Sequence, residues 1–108
     1  MGRIAKPRVV CLDQEKTFIP VTDHPHEYIQ LTMEEYESLR LIDYAHLSQL
    51  ECAKMMNVAR TTVQAIYEQA RFKVADAFMH QKTILIRGGN YTLCHHGHND
   101  KYCAKNML

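Results

Sequence analysis

Residues 49–68 read Gln49-Leu-Glu-Cys-Ala-Lys-Met-Met-Asn-Val-Ala-Arg-Thr-Thr-Val-Gln-Ala-Ile-Tyr-Glu68, and this stretch decides the expected fold. Ser48 and Glu51 form an S-x-x-E capping box, which opens a short helix over Gln49–Met56. Asn57-Val58-Ala59 is a three-residue turn, and Asn57 tolerates the left-handed backbone that ends a helix. A longer helix is predicted from about Arg60 to His80, with Val63, Ile66, Tyr67, Ala70, Val74, Ala77 and Phe78 at helical spacing. Two helices that cross steeply through so short a turn need a small side chain at the crossing, and Ala53 supplies it. Met56, Val58, Val63 and Ile66 then bury against the preceding helix, each contributing roughly 1.5–3 kcal/mol. Upstream, Thr32 and Glu35 form another capping box, followed by Tyr36, Leu39, Leu41, Ile42 and Ala45, an apolar face wider than one helical stripe.

That packing turns the other face of the third helix outward. Arg60, Thr61, Thr62, Gln64, Ala65 and Glu68, with Arg71 and Lys73 one turn further, suit a helix lying in a DNA major groove. Arg60 and Gln64 match the edges of guanine and adenine, the threonines reach phosphate or a thymine methyl, and Ala65 allows close approach. Glu68 accepts from a cytosine amine or sits at the rim, while Arg71 and Lys73 suit phosphates. Ala59 is the expected N-cap and has no side-chain acceptor, at about 1 kcal/mol relative to Ser.

Outside the helices the period changes. Thr83–Arg87, Gly88-Gly89-Asn90 and Tyr91–Leu93 read as a β-hairpin, and a strand near Val9–Leu12 is expected to support it. Thr17–Val21 reads as a loop because of Pro20. The expected fold is mainly α, a three-helix helix-turn-helix core with a small accessory β-hairpin or sheet. Its units are an N-terminal basic arm and strand (1–30), a helix-turn-helix DNA-binding domain (31–82), the hairpin (83–93) and a Cys/His-containing tail (94–108).

The chain has 108 residues, 46% hydrophobic and 23% charged, with thirteen basic and twelve acidic side chains. Composition therefore excludes global disorder, and no apolar run reaches the roughly 20 residues of a membrane span or forms a secretory leader. The net charge of +1 conceals a polarised order: +2 over 1–20, −6 over 21–51 and +5 over 52–108. The acidic block is expected to face away from DNA or to contact a partner such as RNA polymerase.

Four cysteines without a sign of export suggest reduced thiols in the cytoplasm. Cys52 falls among helix-core residues. Cys94, His96, His98 and Cys103 have loop spacings that can close on one zinc or iron ion, with His95 an alternative and Cys11 a contributor if its strand pairs nearby. No nucleophile–base constellation, phosphate loop or carboxylate pair stands in a recognisable frame, so no enzyme is expected.

Several stretches carry a resemblance: Lys6–Cys11, Leu31–Leu41, Leu47–Ala53, Arg71–Ala77 and Arg87-Gly88-Gly89-Asn90-Tyr91. They resemble an uncharacterised bacterial and archaeal family of predicted DNA-binding proteins, a domain of unknown function whose helix-turn-helix is similar to region four of sigma factors. The family usually has Gly and Ser where this chain has Asn57 and Ala59. The resemblance implies a transcription regulator that binds double-stranded DNA. Regulators of this size commonly bind as homodimers. Two alternatives follow from the same residues: a protein–protein interaction module, or a metal-responsive sensor built on the tail from Cys94 to Cys103.

Overall fold

The computed structural model describes residues 6–23, 27–95 and 103. Three short strands, β1 (Arg8–Val10), β2 (Lys16–Phe18) and β3 (Tyr28–Leu31), precede α1 (Met33–Leu39). A π-helical turn (Arg40–Tyr44), α2 (Gln49–Met56), α3 (Arg60–His80), β4 (Thr83–Ile86) and β5 (Tyr91–Leu93) follow. The helices start where side chains satisfy their orphan amides. The Thr32 hydroxyl accepts from the Glu35 amide (3.2 Å) and Glu35 Oε1 accepts from the Thr32 amide (2.9 Å). Ser48 and Glu51 repeat the arrangement at α2. The wide apolar face after Tyr36 has its cause in the π-helical turn, whose extra residue rotates Leu41 into the core while Ile42 stays beside it.

The expected mainly α architecture does not hold. Five strands form two sheets, so the chain is a mixed α/β protein. The hairpin expected at 83–93 is also absent, because β4 and β5 do not pair with each other. β4 is the middle strand of a three-stranded sheet, antiparallel to β2 (Thr17 opposite Leu85) and parallel to β3 (Ile29 opposite Ile84). Both of its edges are therefore used. β5 instead runs parallel to β1, with Arg8, Val9 and Val10 opposite Tyr91, Thr92 and Leu93. The segment from α1 to α3 is the crossover between β3 and β4, a connection that parallel strands require.

The reason lies at Gly88-Gly89-Asn90. Both glycines have positive φ (+72° and +109°), as a hairpin turn would need. Here the turn docks on the start of α1 instead. The Gly88 carbonyl accepts from the Met33 amide (2.9 Å), and the Asn90 amide donates to both Glu34 carboxylate oxygens (3.2 and 3.1 Å).

Among the described residues α3 belongs to two buried clusters. Leu31, Met33, Ile84, Ile86, Ala70 and Ala77 join the three-stranded sheet to α1 and the second half of α3. Leu41, Leu47, Cys52, Ala53, Met56 and Val63 join the π-helical turn and α2 to the first half of α3. Among the described residues no helix is long and apolar enough to cross a membrane.

The docked turn sets a test. A Cβ at Gly89 would strike the Glu34 carboxylate and lie 2.9 Å from Thr32 Cβ, in a backbone conformation that side chains avoid. Gly89→Ala is expected to destabilise the protein by about 1–3 kcal/mol in urea unfolding, with a lowered midpoint and an unchanged slope.

Candidate functional site

The residues singled out on α3 are carried by the α2–turn–α3 unit. Asn57 closes α2 in the left-handed conformation (φ 58°, ψ 46°), its amide turned back to Ala53 and Lys54. The Val58 amide also reaches the Ala53 carbonyl (3.0 Å), and Ala53 itself is buried at the crossing. Ala59 then caps α3 with its backbone alone: its carbonyl accepts from Thr62 and Val63 (3.0 and 3.1 Å), and no side chain caps the helix. With Met56 and Val63 fully buried, the first half of α3 is rigidly seated.

Arg60, Thr61, Gln64, Ala65, Glu68 and Arg71 are exposed along one side of α3, and Thr62 is half-buried at its edge. Their polar atoms are only lightly engaged. Arg60 Nη1 reaches Gln49 Oε1 at 3.3 Å, and Gln64 Nε2 reaches Glu68 Oε1 at 3.4 Å. Arg71 lies over the Tyr67 ring (5.4 Å) and 4.0 Å from Asp43. Tyr67 donates its hydroxyl to Asp43 (2.6 Å), a bond that raises the phenol above its usual range.

Lys73 is placed differently from the others. It turns to the sheet side, where Nζ sits 2.7 Å from Glu35 Oε1 and 2.9 Å from the Gln30 carbonyl. That ammonium holds the cap of α1 and the end of β3 together.

Three cations not assigned a role in the sequence join this face. Lys6 and Arg8, brought in by β1, and Lys54 on α2 line a cleft of about 590 Å³ whose floor is Ala53, Asn57, Val58, Ala59 and Thr62. Arg8 Nη1 donates to the Lys6 carbonyl (3.3 Å), while its Nε is buried with no hydrogen-bond partner among the described residues. The basic arm was visible in the sequence as charge, but its position depends on the β1–β5 pairing, which has no local signal.

The second group is a cysteine cluster. In-register parallel strands deliver their next residues side by side, so Cys11 after β1 meets Cys94 after β5. Cys103 completes the cluster. All three thiols are buried, and their Sγ atoms lie within 4.8 Å of one another, Cys94 and Cys103 at 3.6 Å. Glu37 Oε2 accepts from the Cys11 amide (3.0 Å), and Arg40, doubly bonded to Glu37, places Nη2 3.5 Å from Cys11 Sγ. His96 and His98 lie outside the described residues, and His95 is exposed. Cys52 stands apart in the α2 core, where burial pushes its thiol up to about 12, with the Glu37 carboxylate adding to the shift.

Residues 1–94 match the family model described as "Protein of unknown function DUF134". The chain belongs to the DUF134 (UPF0251) family. It is 46% identical over 89 residues to a UPF0251 protein of Desulfitobacterium hafniense (strain DSM 10664 / DCB-2), covering 81% of this chain and 71% of that protein. It is 48% identical over 84 residues to a UPF0251 protein of Caldicellulosiruptor saccharolyticus, covering 78% of this chain and 60% of the other. A UPF0251 protein of Syntrophomonas wolfei is 41% identical over 87 residues, covering 81% and 64%. No solved structure matches the chain.

In this DUF134 protein the side chains of Lys73 and Glu35 are only 18% and 9% exposed, so removing one charge strands the other in a poorly hydrated place. Lys73→Met is expected to lower stability by about 2–3 kcal/mol, the partial exposure discounting the full buried-pair penalty. Denaturant titration measures it, and a Glu35→Gln/Lys73→Met double variant recovers part of the loss.

Proposed function

We propose that this DUF134 protein binds double-stranded DNA and regulates transcription, with α2, the Asn57–Ala59 turn and α3 acting as a helix-turn-helix reader. One observation carries the reading. The uncapped N-terminus of α3 opens into a cleft ringed by Lys6, Arg8 and Lys54, and the cleft is continuous with an exposed polar helix face. A phosphate in that cleft meets the three cations, the positive end of the helix dipole and the amides left over by Ala59. Arg8 brings its charge to that cleft as one of the lining cations.

From that anchor, Arg60, Thr61, Gln64 and Ala65 fall at the groove floor. Arg60 and Gln64 have only long, weak hydrogen bonds to give up, so little is lost in turning them to base edges. Lys73, held by Glu35, takes no part. The acidic block presents no broad barrier to DNA, because three of its seven carboxylates are buried and engaged: Glu34 with Asn90, Glu35 with Thr32 and Lys73, Glu37 with Arg40 and Cys11. Asp23, Glu27, Asp43 and Glu51 stay exposed, and they are the acidic groups that a partner such as RNA polymerase would meet.

Beyond Arg71 the exposed side of α3 turns apolar, with Phe72, Phe78 and Met79 at 65%, 72% and 78% exposure. Two copies meeting there form a homodimer with a reading face at either end. A pair of half-sites then supplies affinity that one nearly uncharged protomer lacks.

Selection of bound sequences from a random duplex pool tests the reading. Enrichment of one motif is expected. Arg60→Ala and Gln64→Ala each weaken binding to it by about 1–3 kcal/mol and relax one base position. Arg8→Ala weakens all sequences alike and lowers the salt slope by about 1. An unenriched pool at low salt, or binding indifferent to salt and to Arg60, overturns it in favour of a protein-interaction module.

A further inference from the structure

We propose that Cys11, Cys94 and Cys103 are three thiolate ligands of a zinc ion that staples β1, β5 and the chain beyond β5 together. The inference rests on the geometry of the sulfurs and not on the DNA-binding reading.

Cys11, remote in sequence from Cys94 and Cys103, brings its sulfur to theirs. Zinc–sulfur bonds of about 2.3 Å in a tetrahedron set neighbouring sulfurs about 3.8 Å apart. The Cys94–Cys103 separation of 3.6 Å fits, and the whole set lies within 4.8 Å. A disulfide needs sulfurs about 2.05 Å apart, so this pair is not bonded.

Hydrophobic packing alone accounts poorly for the cluster. Among the described residues, Val9 and Leu12 are the partly buried apolar neighbours that pack against it. The β1–β5 pair has three residues in each strand, below what holds a two-stranded sheet together in water. Yet the cysteines are 1%, 4% and 0% exposed, which calls for a stronger tie.

One of the three sulfurs also has a charged hydrogen-bond donor beside it. Arg40 directs a guanidinium N–H at Cys11 Sγ and is itself fixed by two bonds to Glu37, whose carboxylate also takes the Cys11 amide. A charged donor locked by a further hydrogen bond is the kind of outer partner that orients a metal ligand. On binding, the three thiols release three protons to solvent, and zinc accepts three sulfur lone pairs with no change of oxidation state. A further donor or water fills the remaining position.

The test uses the full chain, reduced, reconstituted with zinc alone and dialysed. Metal analysis is expected to give one zinc per chain. Cobalt substitution is expected to give the visible bands of a tetrahedral site and near-ultraviolet thiolate charge transfer of three sulfurs. Cys11→Ser, Cys94→Ser and Cys103→Ser lose the bound zinc, whereas Cys52→Ser, altered in the other core, keeps it. Where a serine variant does not fold, the cobalt spectrum of the unaltered chain still counts the sulfurs. The proposal is overturned if the reduced chain retains no stoichiometric zinc, if Cys11→Ser retains it with an unchanged cobalt spectrum, or if the thiols form a Cys94–Cys103 disulfide in preference to taking metal. DNA affinity measured with and without zinc is a separate reading, and its failure would leave the stoichiometry untouched.

Discussion

The docking of Gly88-Gly89-Asn90 onto the first turn of α1 is the contact on which the rest of this structure depends. Glu34, in that first turn, offers its carboxylate to the Asn90 amide, and the Met33 amide is satisfied by the Gly88 carbonyl. An orphan amide of a helix start is thereby closed by a distant loop rather than by water. The chain then leaves β4 away from its own sheet, and β5 finds β1. The pairing draws the basic arm at Lys6 and Arg8 beside α3, and it sets Cys11 next to Cys94. Both groups of functional interest descend from one turn.

α3 carries the consequence across the molecule. Its second half packs on the sheet and its first half on α2, so 21 residues of helix tie two small cores into one. Neither core is large, and polar links reinforce the join. Lys73 ties α3 to the cap of α1, and Tyr67 with Arg71 ties it to Asp43 in the π-helical turn. A helix held this way presents its exposed residues without rearrangement, which keeps the entropic cost of any binding at that face low. The apparent acidity of the middle of the chain is reduced for the same reason: Glu34, Glu35 and Glu37 serve as loop, cap and ion-pair partners inside the fold.

What was legible in the sequence was local. Both capping boxes, the extents of α2 and α3, and the backbone-only cap at Ala59 follow from residues within a few positions of one another, and the structure has each of them. The strands were less visible. β2 and β3 are three and four residues long, too short for the alternation of β3 to stand out, and their partner β4 is more than fifty residues away. Gly88-Gly89 had the backbone freedom of a hairpin turn, and nothing nearby announced that Glu34 would capture it. Lys73 looked like an outward cation because its acceptor, Glu35, is remote in sequence. Cys94 and Cys103 drew notice through their spacing, whereas Cys11 joins them only through strand register.

β5 lies parallel to β1, and Gly88–Asn90 is not a hairpin turn. Backbone NMR of the isotope-labelled chain tests this most directly. Amide contacts are expected from Arg8 to Asn90 and from Cys94 to Val10, the two hydrogen bonds that bracket the parallel pair. Antiparallel contacts between Thr83–Ile86 and Tyr91–Leu93, with none to Arg8–Val10, would contradict it.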